Sequence, residues 1–454
     1  MTKSLFESFD EVSAKQWKQK IQFDLKGADY NEALIFKSLE GIDVKPFYNQ
    51  EDIANIADIE NPSSWRNAIK IYVEKASLGN QQGLNRVNKG AESVFFVIQE
   101  EDIDPDILLQ NFSTEIPIYI QTEFLSTTYA RQLDVIAKTS GLSIYLLNDN
   151  IHQLASTGNW FQNLNSDFSA VEEIAKQSNT LKSTISVDLS LYQNAGATMV
   201  QQLAYSLAHA NEYLNFFNTK NFNSLENNEI VFKVSVGGNY FFEIAKIRAL
   251  RLLWSSLSSE YNVLDSCHIL AFPSHRNKTI LDYNVNMLRT TTECMSAILG
   301  GADTIHNLPY DDIYNLENDF GTRISINQLL ILKNESYFDL VNNPASGSYY
   351  IETLTNQLAE EALLLFKNLE KGGGFLNQLK SGNIQKKLKE SAKKEQELFD
   401  NSEIVLTGSN KYQNTEEILP VFQKQVFLSK NVRKTLLEPI IKSRLSEIIE
   451  KKSQ

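Results

Sequence analysis

Cysteine is nearly absent. Cys267 and Cys294 are the only two in 454 residues, too few for a disulfide framework or a multi-cysteine zinc site. Both lie in apolar stretches, so they read as buried, reduced thiols. No apolar run approaches the roughly 20 residues of a membrane span, and the first twenty residues hold no apolar core of signal-peptide length. The expectation is a cytoplasmic chain without membrane contact. Basic residues are in deficit, 43 against 56 acidic ones, for a formal charge of −13. Such a surface repels phosphate backbones, so no nucleic-acid partner is expected. Five histidines form no HExxH or HxH pair. No P-loop lysine follows a glycine pair, no GxSxG elbow occurs, and no internal repeat is found.

What is present is ordinary globular composition, 42% apolar and 22% charged, which argues against disorder. The length suits about three domains, or one large barrel with appendages. From Trp65 onward, short β-rich runs alternate with helical stretches. The runs are Asn67–Val73, Ser93–Ile98, Ile116–Ile120, Ser143–Leu147, Ser183–Leu189, Ile230–Val236, Cys267–Phe272 and Thr304–His306. Short, apolar and mostly β-branched or aromatic, they resemble parallel strands covered on both faces. Helices are expected at Thr198–Phe217, Tyr240–Ser259 and Asn286–Leu299; Phe242, Ala245, Ala249, Leu252 and Leu253 form one stripe. Eight such units predict an α/β fold, a (β/α)₈ TIM-type barrel over 65–349. A doubly wound sheet is the alternative, disfavoured because no Gly-rich dinucleotide loop follows an early strand.

Residues 1–64 read as an N-terminal arm with an amphipathic helix in Phe9–Lys26, anchored by Trp17, Ile21, Phe23 and Leu25. It lies either over its own domain or on a partner subunit. Residues 350–454 read as a helical extension: Glu352–Glu370, ended by Lys371 and three glycines, then Asn383–Leu398, then a basic amphipathic helix at Lys430–Lys452.

Candidate chemistry is sparse. His268 and His306 fall at strand ends, and are either hydrogen-bonded barrel histidines or residues facing one cavity. Gly237-Gly238 sits at a strand-to-helix junction, either a tight turn or an anion contact. Arg248, Arg251 and Glu243 share a helix, where surface ion pairs account for them.

Several stretches together resemble the methylmalonyl-CoA mutase family. They are Gln193–Thr198 running into Leu203–Ala208 and Glu212–Leu214; Phe241–Ala249 with Arg251–Trp254; Arg289–Met295 with Gly300–Ala302 and His306; Phe320–Ile324; and Asn343–Glu352. The resemblance implies a (β/α)₈ barrel. It also implies kinship with an enzyme that uses adenosylcobalamin to interconvert methylmalonyl-CoA and succinyl-CoA. The family's cobalt-ligating DxHxxG loop does not occur here, and the stretch beyond the barrel is expected to hold no cobalamin domain. The histidine that precedes the family's MQEAGA falls at Leu191, beside Gln193, and its catalytic tyrosine falls at Lys70. Of its HxQTSGW stretch only His268 remains. The CoA-gripping segment has no counterpart in 44–64. Lys70, Leu191, Gln193 and His268 are therefore expected to mark a degenerate site, without catalytic, cofactor or metal residues, in a barrel narrowed by Leu191, Leu270 and Phe272. The implied role is the small subunit of a heterodimeric mutase. Its partner would be a large cobalamin-binding chain, and alone the small chain would self-pair. An independent barrel enzyme with a redesigned pocket is the alternative.

Overall fold

The computed structural model describes residues 8–53, 56, 59, 61–220, 228–414, 416, 419–427 and 433–452. A short antiparallel hairpin, β1 (Phe36–Lys37) and β2 (Asp43–Val44), precedes the barrel. Then come β3 (Arg66–Val73), β4 (Ser93–Ile98), β5 (Ile118–Thr122), β6 (Ile144–Leu146), β7 (Ser186–Asp188), β8 (Val231–Val236), β9 (His268–Pro273) and β10 (Thr304–His306). Each of these eight is parallel to its neighbours, in the spatial order β6-β5-β4-β3-β10-β9-β8-β7. A bridge between Tyr145 and Ser183 joins the two ends, with Leu146 N–H donating to the Ser183 carbonyl at 3.0 Å. Strand order follows chain order all the way round, which is the TIM-type barrel.

Apolar strands explain the layering. Residues of one parity point outward to the helices; Ile69, Ile71, Val94, Phe96, Ile118 and Ile120 are buried there. The other parity fills the barrel axis with Phe95, Val97, Tyr119, Leu147, Val231 and Leu270. Below this plug, at the N-terminal end, Tyr119 Oη shares hydrogen bonds with His268 Nε2 (2.9 Å) and Thr304 Oγ1 (2.7 Å).

The outer helices carry charges inside, which corrects one expectation. Arg248, Glu243 and Arg251 on the helix Tyr240–Tyr261 are not solvated. Arg248 pairs with Glu352 at 2.7 Å, both side chains fully buried, and ties in the long helix Tyr349–Lys371. Glu243 pairs with Lys246 at 2.6 Å and Arg251 with Asp303 at 2.7 Å. The i,i+3 spacing cannot reveal this, because the carboxylate that meets Arg248 comes from a helix a hundred residues away. Cys267 and Cys294 are buried and free, as expected.

The two ends of the chain behave differently from each other. The arm's helix is Ala14–Asp24, with a Ser13 capping box and no buried residue. Its hairpin does pack on the barrel: Ile42 enters the main core, and Glu40 Oε2 accepts from Val200 N–H (3.0 Å) at the start of the helix Met199–Thr219. The hairpin thus packs on its own domain, while the helix stays unburied. At the other end the expected helix Lys430–Lys452 is overturned. Residues 430–432 lie outside the described residues, 433–446 form no helix, and only Glu447–Lys452 is helical. Pro439 interrupts the pattern, and the backbone groups of this stretch go to barrel loops instead.

Candidate functional site

In a barrel, the loops after the C-terminal strand ends form the natural site. Here that mouth is spanned by the chain's own C-terminal strap. Leu436 and Leu437 N–H both donate to the Gly158 carbonyl, past the helix Asn150–Thr157 that follows β6. Ile440 N–H donates to Ala155 on that helix, Ser443 N–H to Asn194 after β7, and Leu445 N–H to Arg276 after β9. Arg276 returns the contact, its guanidinium reaching the Ser443 carbonyl (2.9 Å) and Glu395 (2.6 Å). Gln423 N–H bonds the Tyr314 carbonyl in the loop after β10, across the mouth from Gly158. The end is locked by Glu450, fully buried, which accepts from Arg444, Ser446 and the Ile280 N–H.

Beneath the strap the mouth is polar. Lys233, in the middle of β8, bonds Asp188 at the tip of β7 (2.6 Å) and Gln121 on β5 (2.8 Å). Asp188 also accepts from the Ser190 N–H. Burial works to raise Asp188, but Lys233, His152 and Lys442 outweigh it and hold the carboxyl well below its usual range. His152 Nδ1 stands 3.6 Å from Asp188 and has no hydrogen-bond partner. Burial lowers its pKa to about 4 despite that carboxylate, so the ring is neutral near pH 7. Asp149 caps the helix that carries His152, taking the His152 N–H, His209 Nε2 (2.8 Å) and Tyr213 Oη (3.0 Å). A cavity of about 360 Å³ opens here, lined by Gln121, Asn148, Asp149, His152, Ser186 and Lys233. Among the described residues no cluster of three or more His, Cys, Asp or Glu is arranged to hold a metal.

A second cavity, about 610 Å³, lies beside the mouth between the arm's hairpin and the loop after β8. Glu40, Gln193, Thr198, Gly237, Glu243 and Arg276 line it. The Gly237 N–H donates to Glu243 Oε1 (2.7 Å), so this glycine pair serves a turn closed by an internal carboxylate.

The sequence profile described as Methylmalonyl-CoA mutase matches residues 101–450, well over half of the chain, strap included. The methylmalonyl-CoA mutase small subunit of Porphyromonas gingivalis is 33% identical over 449 residues, covering 91% of this chain and 72% of that protein. The chain belongs to the methylmalonyl-CoA mutase family. The small subunit of Propionibacterium freudenreichii subsp. shermanii is 28% identical, over 85% of this chain and 66% of that protein. The large subunit of P. gingivalis is 32% identical, over 51% of this chain and 33% of that protein.

The four positions singled out by likeness to the mutase family do not converge. Lys70 reaches the mouth from β3, its ammonium over the Phe95 ring at 5.4 Å. Leu191 is buried in the main core, and Gln193, on the same short helix Ser190–Asn194, meets Glu243 in the second cavity. His268 opens β9, at the opposite end of the barrel from His306, which closes β10 beside Phe272. The two histidines are thus about 13 Å apart along the strands and share no cavity. Of the residues expected to narrow the barrel, Leu270 lies in the axial plug while Leu191 lies outside it. Sequence reasoning missed Asp188, Lys233, His152 and the strap. The Lys233 signal was available: a lysine within a mostly apolar strand needs a buried partner.

Proposed function

We propose that this chain is the supporting, non-catalytic barrel of a heterodimeric methylmalonyl-CoA mutase. Its partner is a longer, cobalamin-binding chain that interconverts methylmalonyl-CoA and succinyl-CoA. The observation that carries this reading is the roofed mouth. In a barrel enzyme substrate enters at the C-terminal strand ends, and here the strap Leu436–Ser446 is hydrogen-bonded across them. The likeness to two proteins named as small subunits supports it.

The family is cobalamin-dependent. The residues at this mouth do not fit that cofactor: a corrin laid on the face would meet the strap backbone, and His152 Nδ1, a ring nitrogen without a hydrogen-bond partner, is buried 3.6 Å from Asp188. The cofactor is therefore assigned to the partner. The arm supplies the docking element. Its helix buries nothing, and Phe9, Trp17 and Phe23 stay exposed at 74%, 49% and 79%. Aromatic anchors of this kind suit the centre of an obligate interface. Docking would stabilise both barrels by mass action.

The polar mouth favours a second reading, a barrel enzyme in its own right. Turnover separates the two. The purified chain with adenosylcobalamin and methylmalonyl-CoA should form no succinyl-CoA, and the same mixture supplemented with the large subunit should turn over. Succinyl-CoA formed by the chain alone contradicts the supporting role.

A further inference from the structure

Charge is unevenly divided along the chain. Residues 367–454 hold 17 basic and 11 acidic residues, a formal +6, which leaves −19 on residues 1–366. The rim of the mouth repeats this division in space. Past the end of β4 stand Glu100, Glu101, Asp102, Asp104 and Asp106, all exposed, with no basic residue among them. Across the mouth lies the helix Asn383–Asp400. Its Ser391 hydroxyl donates to the Gly196 carbonyl (2.7 Å) after β7, and its Glu395 holds Arg276 after β9. It turns Ile384, Leu388 and Phe399 inward and leaves Lys386, Lys387, Lys389, Lys393 and Lys394 exposed. Three of these lysines pair with Glu390, Glu438 and Glu397, whereas Lys386 and Lys394 make no ion pair among the described residues. Glu397 and Asp400 fall in the helix's last turn, and the strap adds exposed Arg433 and Lys434. In a closed ring of eight strands β4 stands opposite β8, so an acidic lip and a basic lip face each other across one mouth. Exposed apolar side chains lie midway between the lips. Leu436 (73%) and Ile441 (56%) sit over the β6 side, and Leu316 and Val421 stand where the chain bonds the loop after β10.

We propose that two copies of this chain pair mouth to mouth, the acidic lip of each on the basic lip of the other. A two-fold axis lying over β6 and β10, at right angles to the line joining the lips, turns one copy over and makes both contacts at once. Such an interface is self-complementary, and the side chains on its axis meet their own counterparts. There the exposed residues include Leu436 and Ile441, for which self-contact is favourable, and the charged lips lie off the axis as a polar rim. A polyanion would satisfy the basic lip and be repelled by the acidic one. A second copy carries both signs in the order required. No residue of the arm takes part, so this pairing and the docking proposed above fail or succeed separately.

The test is sedimentation velocity on the full chain alone, at micromolar concentration. A dimer is expected in about 0.1 M salt and a monomer in about 1 M, as the Debye length falls from about 10 to about 3 Å. Two charge-reversed variants locate the contact: Glu100→Lys with Asp102→Lys on one lip, and Lys386→Glu with Lys394→Glu on the other. All four side chains are exposed, so both variants should keep the melting temperature of the parent. Each variant alone carries two lips of one sign, and its self-association should weaken by about tenfold or more. Mixed together, the two variants should dimerise again. A monomer in low salt, a dimer indifferent to salt, parental affinity in either variant, or no recovery on mixing overturns the proposal. So does a dimer that is lost when residues 1–24 are removed, which would assign the pairing to the arm.

Discussion

The arm and the strap are both segments outside the strand–helix alternation, and they are held in opposite ways. The strap is fixed by backbone bonds to loops after β6, β7 and β9 and by the buried Arg444–Glu450 pair. The arm's helix satisfies its own N-terminus through a capping box, and among the described residues it meets the rest of the arm through the Trp17–Phe47 ring contact at 6.0 Å and the Lys18 ammonium over the Tyr30 ring at 4.6 Å. One segment is part of the barrel's stability, and the other is a free-standing apolar surface. A helix of 11 residues is marginal in water without tertiary packing, and its exposed aromatics are the surface that the proposed partner would cover.

The largest expected effect is on the strap. Glu450→Ala strands Arg444 as an unpaired buried charge and leaves the Ile280 N–H unmet, which should cost about 3–5 kcal/mol in urea denaturation. A loss under about 1 kcal/mol would mean that the strap is not integral to the fold. A smaller effect is expected at Gly158, where φ is +78° and an added Cβ would stand 2.6 Å from the Leu437 carbonyl oxygen. Gly158→Ala should cost about 1–3 kcal/mol and raise hydrogen exchange at Leu436 and Leu437.

Smaller again is the hairpin's pH dependence. Burial pushes Glu40 up to about 7, against the Val200 N–H that favours its charged form; Glu243 adds to the rise and Lys246 opposes it. The folded pKa exceeds the unfolded value of 4.5. Its contribution is therefore full below about 4.5 and lost as pH rises through about 7. Glu40→Gln should flatten the stability profile over that window. An unchanged slope would place the titration elsewhere.

The barrel was legible because a buried parallel strand has a distinct appearance in sequence. Six of the eight expected runs agree with the observed strands to within one residue at each end, among them Ser93–Ile98 and Thr304–His306. The exceptions lie at the barrel's seam or begin in turns: Ser183–Leu189 contracts to Ser186–Asp188, and Ile116–Ile120 shifts to Ile118–Thr122. The mouth was not legible. Lys233, Asp188 and His152 are far apart in sequence, and only barrel closure brings them together. The strap itself was misread because Leu436, Leu437, Ile440 and Leu445 recur at helical spacing. Pro439 and the available loop carbonyls decided against a helix. Arg248 shows the same limit in the outer layer, since local spacing offered a nearby partner and tertiary packing supplied Glu352.

The most direct measurement is size exclusion with light scattering on the chain co-expressed with a large cobalamin-binding mutase subunit, with and without residues 1–24. The full chain should elute as a one-to-one complex at micromolar concentration. The shortened chain should keep its own denaturation midpoint, with stability within about 0.5 kcal/mol, yet elute separately. Separate elution of the full chain, or a complex equally tight without the arm, would contradict the account.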